Sequence, residues 1–117
     1  MTPAPIKPTA TSADLEKLDI RVGTIRQVLE VPASEKLVQL IVTFGDHERS
    51  ILAGLKKERA DPGSLAGRQA LFVVNLAPRK MAGLVSEGML FDIGYADGIV
   101  PVLATPEAPV PDGTRAG

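Results

Sequence analysis

The sequence predicts an all-β domain of small α content, a five-stranded barrel closed on itself, and three observations carry that prediction. Val38, Leu40, Val42 and Phe44 share one face of residues 37–44, the strongest period-two stretch in the chain. Residues 70–74 and 89–93 are short apolar runs of strand length, suited to burial between turns. No long amphipathic helix occurs anywhere in the 117 residues. That length is one domain with a real core, too short for a cofactor domain beside a substrate domain.

Taken in order, residues 1–11 are rich in Pro, Thr and Ala and read as a mobile tail, leaving 12–117 as the folded domain. Thr11-Ser12-Ala13-Asp14 is a helix start, with a hydroxyl at the cap and an acid in the first turn. Leu15 and Leu18, three apart, fall on one side of that short turn. Ile20 and Val22 alternate with Arg21 and open the first strand. Gly23 interrupts it, as at a bulge or sharp coil. Residues 32–35 turn the chain into the second strand, 37–44. Gly45-Asp46 turns it into a third, 49–53, with Ile51 and Ala53 on one face. In the polar stretch 54–68, Asp61-Pro62 fits a helix cap and first helical position, so a short helix or turn ends near Gly67. Residues 70–74 are the fourth strand and 75–89 a loop. Residues 89–93 form a further strand, 94–98 a hairpin turn and 99–103 the return strand. The Pro-rich end carries a turn at Pro111-Asp112-Gly113.

Five or six short strands with a helical insert between the third and fourth fit a Greek-key barrel, which buries one face of every strand and hides its edges. The insert sits where a five-stranded oligonucleotide-binding (OB) barrel needs a plug. Gly23 would let the first strand coil enough to serve both halves. A sandwich or another small barrel has the same strand count.

Composition removes several function classes. The absence of cysteine excludes disulfides, thiolate metal sites and cysteine nucleophiles. One histidine, His47, leaves no His-rich metal centre, and neither metal nor cofactor is expected. No run of eighteen apolar residues spans a membrane and the first residues lack a signal-peptide core, so a cytoplasmic protein is expected. Ser86-Glu87 has no histidine nearby to activate the serine. Asp92 and Asp97 are strand and turn carboxylates of the usual solvated kind, and no phosphate-cradling glycine loop occurs. No catalytic constellation emerges.

Net charge is −1, unevenly spread. Residues 49–80 hold seven Lys and Arg (Arg49, Lys56, Lys57, Arg59, Arg68, Arg79, Lys80) against Glu58 and Asp61, or +5, and the remainder is −6. Such a middle is either a local electrostatic footprint or a solvated stretch of scattered charges. Residues 75–89 are the richest local pattern. Arg79 suits bidentate phosphate contact and Lys80 acts as a point charge. Asn75 and Ser86 suit base edges or phosphate oxygens, and Met89 offers a flexible apolar surface. The alternative is an ordinary loop whose Met81 and Met89 fill the core.

Asp19-Ile20-Arg21-Val22-Gly23-Thr24-Ile25, Glu35-Lys36-Leu37, Gly67-Arg68, Asn75-Leu76-Ala77-Pro78-Arg79-Lys80-Met81 and Ser86-Glu87-Gly88-Met89 together resemble the EMAP-like tRNA-binding domain family. That family includes the C-terminal appendix of methionyl-tRNA synthetases, free-standing tRNA-binding proteins and CsaA-like secretion chaperones. The resemblance runs from about Asp14 to Gly113. It implies an OB barrel that dimerises through the N-terminal helical turn and extra C-terminal strands. It also implies tRNA binding without catalysis, with Lys36, Asn75, Arg79, Lys80, Ser86 and Met89 as contacts, and it leaves open an aminoacyl-tRNA synthetase or unfolded polypeptide as a further partner. Residues 99–103 and 107–113 resemble the chaperone-like branch equally, whose ligand would be unfolded polypeptide in the same dimer groove. Only four aromatics are present (Phe44, Phe72, Phe91, Tyr95), so base stacking has few platforms. Recognition of tRNA shape and backbone follows more readily than single-strand reading.

Overall fold

The computed structural model describes residues 2–56 and 59–117. Lys57, counted above in the basic segment, lies outside them. Helix α1 is Ser12–Glu16, and the strands are β1 Ile20–Glu30, β2 Val38–Thr43, β3 Glu48–Ala53, β4 Gln69–Val73, β5 Arg79–Met81, β6 Leu84–Ser86, β7 Met89–Leu90, β8 Asp92–Ile93, β9 Val102–Leu103 and β10 Arg115–Ala116. One sheet runs β3-β2-β1-β4-β7 with antiparallel neighbours, and it is nearly closed into a barrel.

β1 is long because it serves two partners. Ile20 to Thr24 pair with β4, and Thr24 to Glu30 pair with β2. The bulge expected at Gly23 lies further on, as a register shift between Ile25 and Gln27 against β2. Gly23 has a different task. A Cβ there would stand 2.6 Å from Val42 Cγ1 and 2.8 Å from Phe44 Cε1, so the missing side chain is what lets β1 press onto the core of β2.

β2 alternates buried and partly exposed positions and β4 nearly does, whereas β3 ends in three buried residues, Ile51, Leu52 and Ala53; the inward faces of β1 to β4 meet in one core. Ile25, Leu40, Ile51, Leu65 and Phe72 are fully buried, and Phe72 meets the Phe44 ring edge-on at 5.7 Å. Each such side chain contributes ~1.5–3 kcal/mol on burial. Leu65 comes from the insert, a 3₁₀ turn at Pro62–Leu65 that plugs one barrel end. Its neighbours are sewn to β1, with the Gly67 amide donating to the Ile25 carbonyl at 2.7 Å and the Ile25 amide to Arg68 at 2.9 Å. Pro62 takes the first helical position as expected, but Asp61 makes no side-chain cap bond.

The later chain departs more from expectation. Residues 89–93 are not one strand. β7 stays on β4, the Phe91 amide still donates to the Leu71 carbonyl at 3.0 Å, and Asp92 then turns away to pair with Leu103. Of the expected return strand 99–103, only β9 forms, after a 3₁₀ turn at Tyr95–Asp97. β10 is one of the extra C-terminal strands that the resemblance implies, though residues 115–116 carry no strand pattern of their own. It takes the edge of β1 that β2 leaves, and the Val22 amide donates to Thr114 at 2.9 Å.

Candidate nucleic-acid interface

The segment between β4 and β7, expected as a loop, contains a β-hairpin. Arg79 pairs with Ser86, Lys80 with Val85 and Met81 with Leu84. Its turn is Ala82-Gly83, at φ 49° and 81°. Two successive positive φ values match the right-handed twist of a two-residue hairpin. The usual Asn-Gly or Asp-Gly signal is absent because alanine stands first, which is why the sequence read as a loop.

Neighbouring residues of a strand face opposite ways, so Arg79 and Lys80 project from opposite faces of the hairpin. Both are exposed, and among the described residues no hydrogen bond or ion pair engages either side chain. Met89, paired with Val73 at the hairpin's foot, is 47 % exposed and does not fill the core. Lys36 is exposed in the turn before β2, and its carbonyl accepts the Lys56 amide at 3.0 Å. Val38 pairs with Ala53 on one edge of β3, and Ser86 bonds Leu52 on the other. The Lys36 turn and the hairpin therefore leave the barrel at the same end of β3.

Two of the expected contact residues are engaged internally. The Ser86 side chain is buried, its hydroxyl accepting the Leu52 amide at 3.0 Å and donating to the Gly88 carbonyl at 2.9 Å. Asn75 fastens α1 to the barrel. Its Oδ1 accepts the Asp19 amide at 2.8 Å and its Nδ2 donates to the Lys17 carbonyl at 2.7 Å. α1 itself is capped reciprocally between Thr11 and Asp14, and the Thr11 bonds hold the Asp14 carboxyl below its usual range. Asp19 is held low by the Arg21 guanidinium, 2.9 Å away.

The basic middle of the sequence is only partly available. Lys56 Nζ pairs with Glu30 at 2.9 Å and donates to the Ser34 carbonyl. Arg59 donates to the Pro101 carbonyl at 3.1 Å, and Arg49 to the carbonyls of Val74 and Glu87. Sequence reasoning counted these three as surface charge, because charge counting does not see carbonyls that need donors. Arg68, Arg79 and Lys80 remain exposed.

Residues 20–115 match the tRNA binding domain family. The chain belongs to that family. It is 41 % identical over 111 residues to a methionine–tRNA ligase of Parabacteroides distasonis, covering 95 % of this chain and 16 % of that enzyme. It is 42 % identical over 100 residues to the enzyme of Chloroherpeton thalassium, covering 86 % of this chain and 14 % of the relative. The chain thus spans about one sixth of the curated relatives it matches. Among solved structures, a MetRS related protein from Pyrococcus horikoshii superposes with a TM-score of 0.86 at 32 % identity, covering 95 % of this chain and all of that one. The chaperone CsaA from Bacillus anthracis superposes at 0.81 with 31 % identity, covering 94 % and 100 %. These likenesses agree with the OB architecture.

Proposed function

We propose that this domain binds tRNA by shape and backbone, as a cytoplasmic homodimer with no catalysis of its own, in association with a synthetase. The observation that carries the reading is the hairpin of a tRNA-binding domain bearing an unengaged cation on each face, Arg79 and Lys80. A narrow arm charged on both sides can approach two phosphate strands at once. In this reading Lys36, Arg79 and Lys80 contact phosphate, and Met89 lies against a sugar or base. Asn75 and Ser86 act from behind by holding α1 and the hairpin foot. Residues 12–117 with the Thr11 cap are the binding unit, and residues 2–10 ahead of the cap are a mobile tail. Filter binding of total tRNA at two salt concentrations tests it: affinity must fall steeply with salt as counterions are released. Salt-insensitive or absent binding sinks it.

The dimer is supported by apolar side chains left outside the barrel. Leu15, Leu18, Phe91, Ile93, Tyr95, Val100 and Val102 are all more than 40 % exposed. Leu15, Leu18 and Phe91 line one groove with Leu71 and Asn75. The likeness to CsaA favours a second reading, in which the same surface captures unfolded polypeptide. Such capture would be far less sensitive to salt.

A further inference from the structure

Arg49 was counted above among the basic residues of the middle segment, but its guanidinium is turned into the protein. A single nitrogen, Nη1, donates to the Val74 carbonyl at 2.6 Å and to the Glu87 carbonyl at 3.0 Å. Val74 is the last residue before the segment that carries the hairpin, and Glu87 follows its second strand directly. One side chain on β3 therefore joins both feet of the candidate RNA-binding arm.

The guanidinium is itself held in place. Nε donates to His47 Nε2 at 3.1 Å, and the guanidinium carbon lies 5.9 Å from the centre of the Phe44 ring. An arginine has no acceptor, so His47 Nε2 must accept. The remaining ring proton then sits on Nδ1, 2.6 Å from Asp46 Oδ1. The His47 ring stacks on Phe44 at 5.6 Å. Each foot also has its own anchor. The Val74 amide donates to Asp19 at 2.9 Å, and Glu87 exchanges bonds with Ser50 through its amide at 2.8 Å and its carboxylate at 2.9 Å. To the backbone pairing of Val73 with Met89 just behind the feet, Arg49 adds a side-chain link between Val74 and Glu87 themselves.

We propose that Arg49 is a positioning residue for the tRNA-binding arm: by joining Val74 to Glu87 it fixes the orientation in which the hairpin presents Arg79 and Lys80. The effect on RNA rests on the tRNA reading given above, whereas the effect on the arm does not. Binding by a pre-oriented arm avoids part of the ordering cost that a loose arm would meet. A lysine would keep the charge but not the planar fork or the Nε donor to His47.

Two measurements on the full chain test this. In Arg49→Gln without RNA, hydrogen exchange at the amides of residues 75–89 should quicken about tenfold, with the Leu40 and Ile51 amides unchanged. With total tRNA as probe, affinity should fall roughly three- to tenfold while the slope of log affinity against log salt stays as in the parent. Arg49→Lys should give the same exchange pattern in milder form. If Arg49→Gln does not fold, His47→Gln, which removes the ring that accepts from Nε and stacks on Phe44 but leaves both Nη1 bonds to the carbonyls, should still quicken exchange in the arm. Unchanged exchange in 75–89 overturns the proposal. So does a slope that falls by about 0.7–0.9, because Arg49 would then be neutralising a phosphate itself. If the parent chain binds no tRNA, the tRNA reading fails and the exchange data alone decide whether Arg49 couples the feet.

Discussion

The Ser86 hydroxyl accepts the Leu52 amide hydrogen at 3.0 Å, so a side chain closes the barrel where a backbone ladder would otherwise run. β3 meets the end of β6 and the residue after it through this bond and through the pair of bonds between Ser50 and Glu87. The seam is also the root of the hairpin. Ser-Glu before a glycine therefore has a structural reason here: two polar side chains reach across to backbone that has no strand partner on that edge.

Ser86→Ala should destabilise the fold by about 1–3 kcal/mol, because it strands the Leu52 amide in a buried site. Chemical denaturation reads this directly. Any loss of tRNA affinity should leave the salt slope unchanged, since no charge is removed. Parent-like stability would show that Leu52 finds another acceptor and that the seam does not depend on Ser86.

Arg79→Ala should weaken tRNA binding and lower the salt slope by roughly 0.7–0.9, the signature of one lost phosphate contact. Arg79→Lys should recover only part of the affinity if the contact is bidentate. Among the described residues the side chain has no partner to lose, so the melting curve should not move. Unaltered binding in an Arg79→Ala, Lys80→Ala double variant would remove the hairpin from the interface and favour the polypeptide-binding reading.

Sequence and structure agree best where burial on one face enforces a period. Val38, Leu40, Val42 and Phe44 could be read as one face because all four are buried. Agreement fails where tertiary partners decide. β10 is two exposed residues, Arg115–Ala116, with no apolar alternation, and it exists because β1 offers an unpaired edge. The hairpin hid behind Ala82. In the candidate site, residue type singles out residues 75–89 but not the side of the segment to which each group faces. Ser86 and Arg49 have the same chemistry on paper as surface contacts, and only the positions of Leu52, Val74 and Glu87 show them engaged within the protein.

Gly23→Ala should destabilise by about 1–3 kcal/mol through overpacking, since the new methyl would meet Val42, Phe44 and the Thr43 carbonyl at 3.0 Å or less. Backbone strain does not enter, as Gly23 is not at positive φ. A companion Val42→Ala should recover part of the loss in the Gly23→Ala background. Additive losses in the double variant would show that Val42 is not the obstacle.

Acid should expose the Asp19–Arg21 pair. The Arg21 guanidinium lowers the Asp19 pKa in the folded chain from its ordinary 3.8. A depressed folded pKa gives stability that is fully present above 3.8 and is lost as pH falls through the lower, folded value. Asp19→Asn should therefore melt below the parent at pH 7, with the gap closing only in strong acid. A gap that closes between pH 5 and 7 would assign the effect to another group.

The last expectation concerns self-association. α1 is only five residues long, too short to persist unaided, yet it is capped at its start and tied by Asn75 through Lys17 and Asp19. That fastening leaves Leu15 at 65 % and Leu18 at 47 % exposure, beside Phe91 in the same groove. Holding a short helix in place so that it shows leucines to water is unfavourable unless something covers them. A second copy would cover them while also burying part of the β8–β9 surface at Ile93 and Val102. A stable dimer of this kind buries more than ~2,000 Å² in total. Sedimentation equilibrium at micromolar concentration should give twice the chain mass, and a Leu18→Asp, Val102→Asp variant should give the single mass with the barrel still folded. If the parent runs as a monomer, the exposed leucines serve another partner and the homodimer is wrong. If the variant stays dimeric, the interface lies elsewhere on the barrel.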